Sequence, residues 1–108
     1  MRRFASLRRR ADFARLRQRG RRISTTTLTL YRGDALASDP SSLVGITVNK
    51  SIGKAVVRNK LRRRLAAIVN DALEHRRATR LLVVARPAAA LASYTALRSE
   101  VASALGRA

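Results

Sequence analysis

An α+β fold, one domain of helices packed on a mixed sheet, is predicted by the order of patterns along this 108-residue chain. Three observations carry that prediction. Helical spacing of apolar residues alternates with stretches of strand character. The apolar share, 46%, suits a folded core. The length suits one such core over residues 1–108, with no room for a second.

The first helix is "ADFARLRQRG", residues 11–20, where Ala11, Phe13 or Ala14, and Leu16 recur at helical spacing and Gly20 is a stop signal. Thr-rich "RISTTTLTLYRGD" follows as a strand, or as two if residues 22–31 break. Its alternation predicts Leu28 and Leu30 toward the core, with Thr27, Thr29 and Tyr31 on a shared face open to solvent. "GDALASDPSS" is a loop, and "LVGITVNK" a strand with Val44, Ile46 and Val48 on one face. From about Gly53 to Arg77 the period is helical, and Val57, Leu61, Leu65, Ile68 and Ala72 fall within an arc of about 80°. "RLLVVA", residues 80–85, reads as a strand covered on both faces and ended by Pro87. A last helix through "SYTALRSEVASALGR" buries Leu97, Val101 and Leu105. The predicted order is α-β-β-β-α-β-α, with Arg-rich residues 1–7 flexible.

Charge narrows the function. Lys and Arg number 24 against 6 Asp and Glu, a formal net charge of +18. Only Lys50, Lys54 and Lys60 are lysines; the rest are arginines, the cation suited to bidentate phosphate contacts and to stacking on bases. Nucleic acid is the expected partner. The absence of cysteine excludes disulfides and thiolate metal sites, and fits a cytoplasmic location. No apolar run could span a bilayer, and "MRRFASLRRR" lacks the apolar core of a signal peptide. His75, the one histidine, is expected at the surface near a helix end. With six scattered acids and no cysteine, neither a protein metal site nor a nucleophile–base pair can be built, so autonomous catalysis is not expected.

The segment "GKAVVRNKLRRRL", Gly53 to Leu65, is the most informative. With Val57 as zero, Arg62 falls at about 140°, Asn59 at about 200° and Arg63 at about 240°, a polar stripe pointing away from the core. No acid interrupts it, and like charges one turn apart repel unless an anionic surface lies along them. A duplex-DNA reader would show a second short helix ahead of this one. A membrane-surface helix would carry Trp or Phe on its apolar arc. RNA is the better partner.

"VGITVNKSIGKAVVRNKLRRRL", Val44 to Leu65, resembles the signature of the bacterial ribonuclease P protein subunit. "LRRRADF", "LTLY", "VVARPA" and "SYTAL" resemble further pieces of that family in the same order. The resemblance implies a protein that cleaves no bond itself. Its partner is a catalytic RNA that uses magnesium ions to remove the 5′ leader from precursor tRNA, with no obligate protein partner. By resemblance, Arg58, Asn59, Lys60, Arg62 and Arg63 face the catalytic RNA, and Lys50 and Lys54 add phosphate contacts. Arg8, Phe13, Arg17 and Tyr31 map onto the side that holds the single-stranded leader. The fold implied has a left-handed crossover around the long helix, against the usual hand. Four positions depart from the family pattern. Arg17 stands in place of a second aromatic, Lys60 where Arg is common, Ser51 for a second Lys, and Ala66 for a further Arg. The alternative reading is a structural, ribosomal-type RNA-binding protein.

Overall fold

The structure is a computed structural model describing residues 3–74 and 76–106, so the expectation for His75 lies outside the described residues. The elements run β1 (Ala5–Ser6), α1 (Arg10–Arg19), β2 (Arg21–Ser24), β3 (Leu28–Asp34), β4 (Leu43–Thr47), α2 (Ala55–Ala72), β5 (Thr79–Ala85) and α3 (Tyr94–Gly106). Short 3-10 turns occupy Lys50–Ile52 and Pro87–Leu91. The five strands form one sheet in the order β1-β4-β5-β3-β2. β1–β4 and β4–β5 are parallel, while β5–β3 and β3–β2 are antiparallel, which makes the sheet mixed as the sequence predicts. β4 and β5 are neighbours joined through α2, the strand–helix–strand crossover unit.

The sheet has a large core on one face and a smaller one on the other. Leu28 and Leu30 of β3, Val44 of β4, and Leu81 and Val83 of β5 pack with Leu61, Leu65, Ile68 and Val69 of α2 and Leu97, Val101 and Leu105 of α3. On the opposite face Leu82 meets Leu7 and Leu16, with Phe13, Tyr31, Leu43 and Val84 half-buried around them. The unbroken apolar run of β5 is explained by this double coverage, because successive side chains enter different cores.

The alternating stretch follows the two-strand alternative and divides into β2 and β3, because Thr25 closes a turn between them. Its N–H donates to the Leu28 carbonyl at 2.8 Å, and its Oγ1 accepts from the Leu28 N–H at 3.0 Å. Thr27 and Thr29 are buried, not open to solvent. Thr27 leaves the strand alternation because Glu100 of α3 binds it: its Oγ1–H donates to the carboxylate at 2.7 Å and its N–H at 3.2 Å. Burial raises the Glu100 carboxyl, but hydrogen bonds from Thr25, Thr27 and the Thr26 and Thr27 amides outweigh it, leaving the pKa lowered.

The long helix ends at Ala72, not Arg77. Leu73 turns into the core, and only residues 73–78 remain to reach the first residue of β5, Thr79, whose N–H donates to Ser42 Oγ at 3.0 Å. Val57 is 40% exposed and Val69 takes its place in the core, which rotates the buried arc toward Arg58. The N-terminal segment is held in the fold from Phe4 to Leu7, both buried, with Ala5 and Ser6 paired to Leu43 and Val44. Arg3 extends that anchorage: its N–H donates to Asn70 Oδ1 at 2.6 Å, and its guanidinium lies 3.4 Å from Glu74. Among the described residues no helix is long and apolar enough to cross a membrane.

Candidate RNA-binding surfaces

Strand register places the residues under α1. Gly45 of β4 pairs with Leu82 of β5, and Leu82 with Tyr31 of β3, so the three form one row across the sheet on the α1 face. Strands lie about 4.8 Å apart, so the row from Gly45 to Tyr31 is roughly 10 Å long. Along α1, with Leu16 as zero, Phe13 falls at about +60° and Arg17 at about +100°. Both therefore leave the helix on one flank and reach the two ends of that row.

Phe13 lies directly over Gly45. A Cβ there would sit 3.0 Å from Phe13 Cε1 and 3.3 Å from Leu7 Cβ, tighter than most side-chain contacts, so the ring or the N-terminal segment would have to shift to admit any larger residue on β4. The ring is half-buried, both docked and available. At the other end the Arg17 guanidinium lies 5.7 Å from the centre of the Tyr31 ring, within cation–π range. Arg17, standing where the resemblance expects a second aromatic, thus puts a planar cation on the tyrosine. Arg8 is exposed just before α1 and lines a different depression, with Arg9, Ser38 and Asp39. Of the four residues expected on the leader side, then, the fold brings Phe13, Arg17 and Tyr31 onto one flank and leaves Arg8 apart.

The basic surface belongs to α2 and the turn before it. Lys50, Lys54, Asn59, Lys60, Arg62 and Arg63 are all exposed. Gly53 holds φ 153°, a conformation that disfavours side chains, and redirects the chain from the 3-10 turn into the helix. Lys54 occupies the N-cap without a side-chain hydrogen bond, and the first turn contains no acid. The positive end of the helix dipole thus carries added cations, the reverse of the stabilising arrangement. Asn59 Oδ1 accepts from Arg62 Nη1 at 3.1 Å, which couples two members of the stripe. Arg58 differs from its neighbours. It is half-buried, and its Nε is buried without a hydrogen-bond partner among the described residues.

A groove of about 210 Å³ joins the two surfaces, lined by Phe4, Leu7, Phe13, Gly45, Ile46 and, from α2, Arg62 and Ala66. Arg62 therefore reaches from the basic stripe to the edge of the α1 cleft. Sequence reasoning missed Gly45 and this double placement of Arg62. A glycine inside a strand signals close backbone approach, so Gly45 could have been found; no sequence pattern signals the position of Arg62. Among the described residues no three His, Asp or Glu side chains come together to hold a metal ion.

Comparison with known proteins agrees with this architecture. The sequence profile of the family described as Ribonuclease P matches residues 1–108. The ribonuclease P protein component of Acidothermus cellulolyticus is 40% identical over 102 residues, covering 94% of this chain and 85% of that one. That of Thermobifida fusca is 38% identical over 106 residues, covering 92% and 72%. Among solved structures, the Staphylococcus aureus RNase P protein superposes with a TM-score of 0.83 at 24% identity, over 94% of this chain and 92% of that one. The Thermotoga maritima RNase P protein gives 0.78 at 23%, over 95% and 96%. Profile, relatives and fold agree along nearly the whole length, and the chain belongs to the ribonuclease P protein family.

Proposed function

We propose that this protein component of ribonuclease P works through two RNA-facing surfaces, one for the catalytic RNA and one for the leader of precursor tRNA. The catalytic RNA lies along Lys50, Lys54, Asn59, Lys60, Arg62 and Arg63 of the α2 region, with Arg58 at its inner border. The observation that carries this assignment is the start of α2: uncapped, without an acid, and crowded with cations that only an anionic surface relieves. RNA phosphates supply that surface, and their released counterions drive binding.

The leader occupies the flank of α1, where Phe13 and Tyr31 offer rings to unstacked bases and Arg17 a second planar group. Because Arg17 already covers Tyr31, a base entering there either displaces the guanidinium or is sandwiched beneath it. Arg62 at the groove edge gives one side chain access to both RNAs. Hydrolysis of the phosphodiester is assigned to the RNA partner, which supplies magnesium chemistry. The residues of this chain hold the substrate strand and lower the repulsion between two polyanions.

Replacing Arg62 and Arg63 with Ala tests the α2 assignment. The salt dependence of binding to the catalytic RNA, as the slope of log K against log salt, should flatten by roughly 1.4–1.8 for two lost phosphate contacts. An unchanged slope removes α2 from the interface.

A further inference from the structure

Leu91 and Val56 are 94% and 78% exposed, the most exposed large apolar side chains among the described residues. Val56 lies in the first turn of α2. On the angular scale with Val57 at zero it falls at about 260°, between Arg63 at about 240° and Lys60 at about 300°, on the outer face of the helix. Leu91 ends the 3-10 turn Pro87–Leu91, which packs against α2 and against the Lys50–Ile52 turn. That turn buries Ala89 and leaves Leu91 outside. Both side chains therefore stand at the end of the molecule that also carries Lys50 and Lys54.

Isolated apolar side chains on a surface are ordinary. Here two nearly bare ones stand on a cationic surface, and neither contributes to either core. Their surroundings limit the occupant. A second copy of this chain would bring the same cations against Lys50, Lys54, Lys60 and Arg63. A lipid surface would meet the cations, but two separate side chains bury too little area for insertion. Folded RNA supplies phosphates for the cations and, wherever a base is unstacked, an apolar face for the side chains.

We propose that Val56 and Leu91 are apolar contact points for unstacked nucleotides of the catalytic RNA, set within the phosphate-binding cations of the α2 end. The proposal rests on the assignment of α2 to that RNA and adds a component to it that is not electrostatic. Counterion release sets the salt slope of the cations, whereas an apolar contact releases no counterion and adds the same free energy at every salt concentration.

The experiment measures binding of the double variant Val56→Thr/Leu91→Gln to the same organism's ribonuclease P RNA across a salt series, beside wild type and the Arg62→Ala/Arg63→Ala variant. Thr keeps the branched shape at 56, and both positions are exposed, so the melting temperature should match wild type. Should it not, the single variants Val56→Ala and Leu91→Ala give the same readout. The expected result is binding about tenfold weaker at every salt concentration, with the wild-type slope retained. Wild-type affinity, or a loss accompanied by a changed slope, overturns the proposal. So does an RNA-free dimer in sedimentation that the double variant abolishes, since it gives the patch to a second copy. If the Arg62→Ala/Arg63→Ala slope is also unchanged, the α2 assignment itself fails; if only the apolar variant behaves as wild type, that assignment stands and the apolar contacts fall.

Discussion

The two faces of the sheet are covered to different extents. One is closed by α2 and α3 together, and Leu28, Leu30, Leu65, Leu81, Val83, Leu97 and Val101 are sealed from solvent. The other carries α1 alone. A ten-residue helix is about 15 Å long, while five strands about 4.8 Å apart span roughly 19 Å, so α1 cannot cover its face. Phe13, Tyr31, Leu43 and Val84 stay half-buried beside it. Incomplete coverage of a sheet is normally a cost in stability. Here the other face supplies the cohesion, and the half-buried rings remain at the surface, where the proposed leader site lies.

The largest predicted effect belongs to the closed face. Leu65→Ala removes a fully buried side chain between α2 and the sheet and should destabilise the fold by about 2–5 kcal/mol in urea unfolding. A loss under 1 kcal/mol would mean that face is not the main core.

On the open face, Gly45→Val should displace the Phe13 ring, costing about 1–3 kcal/mol of stability and lowering preference for leader-bearing precursor over mature tRNA. Destabilisation with full retention of that preference would remove Phe13 from the leader site. Tyr31→Ala sharpens the contrast, because it should weaken holoenzyme binding of precursor by about 1–3 kcal/mol while mature tRNA binding holds. Equal losses for both tRNAs would make Tyr31 a packing residue, and the open face a poorly finished core.

The smallest effect concerns the seam between β2–β3 and α3. The Glu100 carboxyl has a folded pKa below its ordinary value, so its stabilising contribution is complete above the unfolded pKa and is lost as pH falls through the folded one. The melting temperature should drop on acidification through that range, and Glu100→Gln should reduce the drop. An acid dependence unaltered by Glu100→Gln would place the sensitivity elsewhere.

What the sequence revealed divides along the same line. Helical periodicity identified Leu61, Leu65, Ile68, Leu97, Val101 and Leu105 as core, because burial on the closed face follows local repeats. The basic stripe was legible for the same reason, since Asn59, Arg62 and Arg63 are set by the phase of a single helix. The open face was less legible. The placement of Phe13 over Gly45, and of Arg17 over Tyr31, depends on the register of three strands and the docking of α1, pairings between residues far apart in the chain. Thr27 was misread because alternation says nothing of Glu100, 73 residues away. The two-residue strand at Ala5–Ser6 is too short to show any pattern, and its existence rests on the burial of Phe4 and Leu7 around it.

In the proposed function this chain assists an RNA catalyst and contributes no bond-breaking group of its own. The most direct test is cleavage of precursor tRNA at low magnesium by the same organism's ribonuclease P RNA, with and without the protein. Release of the 5′ leader should accelerate only when RNA and protein are combined, with no cleavage by the protein alone. No acceleration, together with tight binding to ribosomal RNA, would contradict it and favour a structural RNA-binding role.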